Sequence, residues 1–532
     1  MGLLRAQSTR QGFFLLVGIG FLAKAIGFAR ETAIAHSFGV SREFDIFLTI
    51  FMVPTISFSV LTYAVSYALI PFHHRVQVER GEWFASQYMK KLIYGSIAVG
   101  LIVALLMLLF EGRLTSVLVV SATAAEHAFA IRLLRVLVWL MPLYFGGCIL
   151  QAILQAENFF FALSLGPLIQ NIIITLIILL FGHWGVIDLA AAWLFGILVW
   201  FTWLAAIFLL SRRNLDRQTT GSDAAGTGLL MLALASIIQV VLVELWPQLY
   251  VIFDRIVVQL SHLPSGSIGA LSYATTLYTL GLSIFVISLG QAMFPTLSSY
   301  AAEAREEELN AFLSRGLRLT LLATLPLAAL LFVLAQDVVV LVFQRGQFNA
   351  QASVATAKAL RIFAMGLPLD SVYVILVGYL YAKRNFKILI LAGISAFLAK
   401  ILGGIVLVKG FGYAGFALST VLATLCRTGL LIFWLSRRGV QPLGRRGGLP
   451  LVLQTAAAAL LGTLAIYATA PWARQGVGKI IEGVVLDGII RILISSLLFV
   501  LVYAGLLRAW KIPEWAAFTG YLKDRLLGGA RQ

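Results

Sequence analysis

The chain has 532 residues, of which 60% are hydrophobic and 12% are charged, whereas an average soluble protein has roughly 25% charged residues. This charge fraction is too low to cover a soluble protein of such length, so most of the surface is expected to face lipid. The net charge is +17, and basic cytoplasmic loops explain that excess in a membrane protein without a nucleic-acid partner.

Apolar runs follow one another along the whole chain. A helix crosses the hydrocarbon core with about 20 mainly apolar residues. Fourteen runs meet this length, and they predict an all-α integral membrane protein with about 14 transmembrane helices. They cover approximately residues 12–35, 44–71, 92–111, 129–154, 160–181, 187–211, 228–260, 267–297, 312–335, 352–382, 387–408, 412–436, 449–470 and 484–508.

The loop charges predict the orientation of these spans. Lys and Arg concentrate in alternate loops, and loops of this kind face the cytoplasm. The asymmetry places both termini in the cytoplasm. The basic residues of the cytoplasmic set include Arg75, Arg80, Lys90, Lys91, Arg212, Arg213, Arg217, Lys383, Arg384, Arg437 and Arg438.

The chain also contains an internal repeat. Arg30 matches Arg255, Pro71 matches Pro295, and Pro142 matches Pro368. The tetrapeptide at 210–213 recurs at 435–438, and all these separations lie between 224 and 226 residues. Six spans in each half predict two lobes in a parallel pseudo-repeat, followed by two extra C-terminal helices. The predicted boundaries are 1–213 for the N-lobe, 214–227 for a cytoplasmic linker, 228–438 for the C-lobe, and 439–532 for the last two spans and a cytoplasmic tail.

A few ionisable residues lie inside the apolar runs. Each is costly in lipid unless it is paired or wetted, so such groups usually face a cavity or pathway. Basic side chains there would attract a diphosphate or a carboxylate, although interfacial snorkelling is an open alternative for Arg30, Glu31 and Asp45. The candidate substrate-binding residues are Lys24, Arg30, Asp45 and Arg255. The candidates for ion coupling or pairing within the cavity are Glu244, Asp254, Asp370 and Lys400.

Several enzyme signatures are missing from the sequence. It contains no nucleotide-binding Gly-x-x-x-x-Gly-Lys-Ser/Thr loop and no His-Glu-x-x-His zinc motif, so we expect neither a cofactor nor a metal site. No catalytic constellation stands out. We therefore expect a transporter, driven by an ion gradient or by the membrane potential, and not an enzyme.

Several short motifs occur in order over residues 1–438. They are Gly27 to Glu31, Ala35 to Gly39, Asp45 to Phe47, Ser265 to Ala274, Phe294 to Ser298, Gln344 to Phe348 and Tyr379 to Ala382. Together they resemble the MurJ/MviN family of lipid II flippases. The resemblance implies the multidrug/oligosaccharidyl-lipid/polysaccharide exporter fold, in which two bundles rock around a central cavity, with a lipid-tail groove beside spans thirteen and fourteen. It also implies an undecaprenyl-diphosphate-linked sugar as the substrate.

The sequence departs from that family at several charged positions. Lys24 replaces an arginine of the first span, and no charge follows Pro54 before His73, where the family usually has arginines and a glutamate. Thr276 and Thr279 replace an arginine and an acidic residue of the eighth span. Lys400 aligns with an asparagine that forms part of a sodium site in some relatives. We expect its ammonium to occupy that space, paired with Glu244 or Asp370.

The leading hypothesis is a bacterial inner-membrane flippase that moves lipid II, or a related peptidoglycan or polysaccharide precursor, to the periplasmic leaflet by alternating access. Three alternatives stay open: a flippase for an exopolysaccharide or another surface-glycan lipid, a cation-coupled antiporter of the same superfamily, and a non-transporting scaffold for glycan synthesis. The expected partners are the lipid-linked saccharide, membrane lipids, glycan synthesis enzymes and a coupling ion, either proton, sodium or chloride.

Overall fold

The computed structural model describes residues 9–120, 122–181, 185–211, 241, 245–246, 248–257, 261, 263–444, 448–477 and 484–516. All regular secondary structure within these residues is helical. By its internal contacts the chain divides into two units, Met1–Gly269 with Arg345–Asn349, and Ala270–Gln344 with Ala350–Gln532. The predicted linker at 214–227 lies outside the described residues, and the lobe boundaries taken from the repeat stay a prediction.

Eight helices with defined bounds lie wholly in the described part of the first unit. They are α1 (Thr9–Phe38), α2 (Arg42–Arg80), α3 (Glu82–Leu109), α4 (Glu111–Leu118), α5 (Ala124–Leu137), α6 (Leu140–Ala156), α7 (Phe160–Phe181) and α8 (Val186–Ser211). Helix α1 packs on α7, α2 and α3 pack on α6, and α8 packs on both α6 and α7.

The predicted fourth span, 129–154, is interrupted between α5 and α6. Pro142 lies in the first turn of α6 and has no N–H to continue the hydrogen-bond ladder of α5. The chain bridges the gap with a tighter bond from Met141 N to Val138 O at 3.0 Å. Its repeat counterpart Pro368 lies within a helix that continues on both sides. The two halves therefore differ locally at matched prolines.

The second unit is built on long helices that pack in pairs. The helices are α9 (Ser267–Leu282), α10 (Ser288–Ala302), α11 (Glu306–Phe343), α12 (Ala350–Ala382), α13 (Phe386–Phe411), α14 (Ala414–Arg437), α15 (Gly448–Val477) and α16 (Val484–Ala509). The first three residues of α9, up to Gly269, belong to the first unit. Helix α11 packs on α12, α13 packs on α14, and α12 also packs on α14. A π-helical turn, Ser283–Ile287, separates α9 from α10 and interrupts the predicted eighth span.

The last two helices, α15 and α16, pack on each other and on α11. Phe499 is fully buried in the cluster between them. The hydroxyl of Tyr503 donates to Leu322 O at 2.9 Å, and Arg318 Nε lies 2.9 Å from Glu514 Oε1. These contacts connect the C-terminal helices to α11 within the second unit.

Eleven helical segments of the described chain are long and apolar enough to cross a membrane. Of the other predicted spans, 12–35 falls on α1, 267–297 falls on α9, the π turn and α10, and 228–260 lies largely outside the described residues. Large apolar side chains are exposed on these helices, as expected of a surface in contact with lipid. On α16 they include Leu493, Leu497 and Leu501. The prediction of an all-α, multi-pass membrane protein is confirmed.

Candidate functional site

The guanidinium group of Arg30 in α1 has contacts on two edges and on one face. Its Nη1 donates to Asn171 Oδ1 of α7 at 2.7 Å, and its Nη2 donates to Glu31 Oε1 at 2.5 Å. The guanidinium carbon lies 4.4 Å from the centroid of the Trp193 ring of α8, a cation–π distance. The side chain is 15% exposed. Within the first unit, a cation inside an apolar run has therefore acquired an anionic, a polar and an aromatic neighbour.

Asp45 serves as a helix cap supplied by a distant part of the chain. Its two carboxylate oxygens accept from Gly266 N at 2.8 Å and from Gly269 N at 2.7 Å, at the start of α9. These are the N-cap and N3 amides, which a capping box satisfies with two local side chains. Glycine provides no such side chain at either position, so Asp45 satisfies both donors. The carboxylate is buried and adds favourable charge at a helix N-terminus.

The close approach to Asp45 requires glycine at position 266. Gly266 has φ +85°, a conformation that residues with a Cβ rarely adopt. A Cβ there would lie 2.4 Å from Val40 O, in the turn between α1 and α2. Glycine at position 266, within the motif Ser265 to Ala274, thus allows the amides of Gly266 and Gly269 to reach Asp45.

The other two candidate substrate-binding residues differ in their surroundings. Arg255 is partly buried and interacts electrostatically with Asp45 and Asp254. Lys24 of α1 is exposed. The structure therefore places Arg255 with Asp45 and gives Arg30 a separate set of partners on α7 and α8, while the shared headgroup site stays a prediction.

In the second unit, Asp370 of α12 joins two helices by charged and polar contacts. It accepts hydrogen bonds from the Tyr278 hydroxyl of α9 and from Arg427 Nη2 of α14. The Arg427 guanidinium carbon also lies 3.9 Å from the centroid of the Tyr373 ring. A carboxylate and a guanidinium in an apolar bundle offset each other's desolvation when paired in this way.

Lys400 of α13 is completely buried. Its ammonium donates to Phe416 O at 3.0 Å and to Thr420 Oγ1 at 2.5 Å, both at the start of α14. Glu244 lies outside the described residues, and the pairing of Lys400 with Glu244 or Asp370 stays a prediction. The structure adds two oxygen acceptors on α14 that the sequence did not indicate.

Two threonine side chains, one directly after Pro54 and one at position 276, lie where the resemblance leads us to expect charged residues, and both bond within their own helices. Thr55 Oγ1 donates to Phe51 O at 2.9 Å, and Thr276 Oγ1 donates to Ser272 O at 3.1 Å. Such bonds satisfy a hydroxyl locally, without any partner from another helix. These positions are therefore uncharged and self-satisfied in this chain.

Three of the side chains that contact Arg30 and Asp370 were not singled out by the sequence analysis. They are Asn171 and Trp193 beside Arg30, and Tyr278 beside Asp370. For Asn171 a signal existed, because an amide in the middle of the apolar run 160–181 needs hydrogen-bond partners. For the two aromatic residues there was none, since aromatic side chains are common throughout the spans.

Comparisons with known proteins agree on one family. The family model described as "Lipid II flippase MurJ" matches residues 34–485. The lipid II flippase MurJ of Burkholderia cenocepacia is 26% identical over 474 residues, covering 87% of this chain and 89% of the relative. The probable lipid II flippase MurJ of Aquifex aeolicus is 25% identical over 434 residues, covering 77% and 80%.

Solved structures share the fold. A lipid II flippase MurJ in an inward closed conformation matches with a TM-score of 0.76 at 22% identity, covering 93% of this chain and 99% of that one. An inward-facing multidrug transporter of the MATE family, from the MOP superfamily, matches with a TM-score of 0.65 at 15% identity, covering 77% and 94%. The family model spans well over half of the chain, and the chain belongs to the MurJ lipid II flippase family.

Proposed function

We propose that the protein is a flippase of the bacterial inner membrane that moves an undecaprenyl-diphosphate-linked saccharide, lipid II or a related peptidoglycan precursor, to the periplasmic leaflet. The observation that carries this proposal is the family match over residues 34–485. The relative from Burkholderia cenocepacia bears the name lipid II flippase. Translocation would proceed by alternating access, with membrane lipids and the lipid-linked saccharide as partners.

The proposed topology has fourteen spans and two cytoplasmic termini. Its support is the alternation of basic loops and the repeat at separations of 224 to 226 residues. The proposed divisions are an N-lobe at 1–213, a linker at 214–227, a C-lobe at 228–438 and a C-terminal part at 439–532.

The headgroup is proposed to bind at Lys24, Arg30, Asp45 and Arg255. Guanidinium groups bind phosphate oxygens through two parallel N–H bonds, and lysine adds a point charge. Asp45 takes part indirectly, through the amides of 266–269 and its electrostatic interaction with Arg255.

We propose that Lys400 supplies the positive charge that a coupling cation would otherwise bring. Its ammonium is surrounded by a carbonyl and a hydroxyl, the kind of oxygen ligands that hard metal cations also bind. Translocation in reconstituted vesicles should then proceed equally well when sodium is replaced by potassium, driven by the membrane potential or another ion. Sodium-dependent activity would contradict the role of Lys400. Glu244, Asp254 and Asp370 stay proposals for ion coupling or pairing.

The test of function is complementation of a strain depleted of its own lipid II flippase, together with translocation of fluorescent lipid II in proteoliposomes. Rescue by the wild type and loss of rescue by the Lys24→Ala, Arg30→Ala double variant are expected. Rescue that survives the double variant would favour a scaffold for glycan synthesis enzymes.

A second candidate is a flippase for an exopolysaccharide or another surface-glycan lipid. The locally bonded hydroxyls of Thr55 and Thr276 favour it, because the resemblance leads us to expect charged residues shortly after Pro54 and at position 276. Failure to complement despite normal expression and insertion would support this candidate.

A further inference from the structure

Arg30 leaves one side of its guanidinium half-occupied. The N–H groups of Nε and Nη2 point along the same edge and form the fork that binds two oxygens of one anion. Glu31 takes Nη2 at 2.5 Å, whereas Nε is buried without a hydrogen-bond partner. A phosphate in place of the Glu31 carboxylate could take both donors. Nε is therefore available to donate to a second oxygen on the same edge.

The opposite edge of the guanidinium is held by Asn171. Its Oδ1 accepts from Arg30 Nη1 at 2.7 Å, and its Nδ2 donates to Ala23 O of α1 at 3.1 Å. The amide thus binds α1 at two points, two helical turns apart. A Cβ at Gly27, midway between them, would lie 3.1 Å from Asn171 Nδ2, so glycine at that position allows the close approach of the amide.

Trp193 sets the plane of the guanidinium. The cation lies over its ring at 4.4 Å, and the ring itself packs against Phe51 at a centroid distance of 4.7 Å. With one edge bonded to Asn171 and one face on Trp193, the guanidinium has little freedom to turn. The fork of Nε and Nη2 is therefore pre-oriented, which lowers the entropy lost on binding.

We propose that Asn171 is a positioning residue for anion binding by Arg30, with Trp193 as the supporting face and Glu31 as the internal group that the phosphate displaces. The inference rests on the proposed function, in which Arg30 binds the diphosphate of a lipid-linked saccharide. Asn171 does not touch the ligand. It keeps Nη1 occupied and the other edge of Arg30 available.

The test compares Asn171→Leu, Glu31→Gln and Arg30→Ala in the full-length protein. Two probes are used: inorganic pyrophosphate binding to the purified protein, and the concentration dependence of fluorescent lipid II translocation in vesicles. Hydrogen bonds to charged groups contribute about tenfold or more to an equilibrium. Asn171→Leu should weaken pyrophosphate binding about tenfold and raise the half-saturating lipid II concentration similarly, with a much smaller effect on the maximal rate. Glu31→Gln should strengthen binding, because the competing carboxylate is gone.

Ser164→Ala provides the matched control on α7. Ser164 is buried and its hydroxyl donates to Phe160 O of its own helix at 2.8 Å, so both probes should behave as in the wild type. Gly27→Ala is the second variant, in case Asn171→Leu folds poorly. It displaces the amide by a few tenths of an ångström and should weaken pyrophosphate binding in the same direction.

Wild-type affinity in both Asn171→Leu and Gly27→Ala, with binding lost in Arg30→Ala, would overturn the positioning role. Unchanged or weaker binding by Glu31→Gln would overturn the displacement. Absence of Arg30-dependent pyrophosphate binding in the wild type would overturn the inference as a whole. Pyrophosphate binding that responds as expected, without any lipid II translocation, would uphold the inference and contradict lipid II as the substrate in the proposed function.

Discussion

Replacement of Asp45 tests whether this carboxylate is a helix cap. Each hydrogen bond from Gly266 N and Gly269 N to a buried carboxylate is worth roughly 1.5–3 kcal/mol. Asp45→Ala loses both bonds and leaves two N–H groups without an acceptor, so the local opening free energy should fall by about 3–6 kcal/mol. Asp45→Asn keeps one acceptor oxygen and should lose about half of that amount.

Amide hydrogen exchange, read by mass spectrometry on the protein in nanodiscs, measures this change directly. Since about 1.4 kcal/mol corresponds to a tenfold change, exchange at residues 266–269 should accelerate at least a hundredfold in Asp45→Ala. In Asp45→Asn the acceleration should be roughly ten- to a hundredfold. The control is Ser41→Ala, which removes the acceptor for Phe44 N at 3.2 Å and should leave 266–269 unchanged. Wild-type exchange at 266–269 in both Asp45 variants would refute the cap.

Two further predictions concern stability, and the melting temperature of the purified protein measures both. Asp370→Asn removes the carboxylate that pairs with Arg427 and should lower the free energy of unfolding by about 3–5 kcal/mol. Adding Arg427→Gln should recover part of this loss, and absence of any recovery would argue against the pair. Gly346→Ala should destabilise by about 1–3 kcal/mol, because Gly346 has φ +56° and its Cβ would lie 2.4 Å from His36 O. Gly378→Ala, with nothing within 4 Å of its Cβ, is the control and should not lower the melting temperature, so an equal loss in both variants would contradict the reasoning.

Hydropathy predicted the helices well, because lipid selects long apolar runs irrespective of what packs against them. The runs 352–382 and 412–436 correspond to α12 and α14 within a few residues. The run 267–297 was predicted as one helix, but a π-helical turn interrupts it at Ser283–Ile287. The residues of this turn are mainly apolar, so hydropathy gives no sign of the interruption. Pro142 explains the break in the fourth span, but the sequence could not predict it, because Pro368 lies inside a continuous helix.

The amino-acid sequence alone establishes that this protein spans a membrane and that a few charges inside its spans need partners, because an unpaired charge in lipid is costly. Which partners these charges have depends on how distant parts of the chain pack together. Asn171 lies 141 residues from Arg30, and Gly266 lies 221 residues from Asp45. The partners of Asp45 are backbone amides, which every residue except proline carries, so no side-chain pattern could identify them. The composition of a span indicates that a charge needs a partner, whereas the packing of the helices determines which group that partner is.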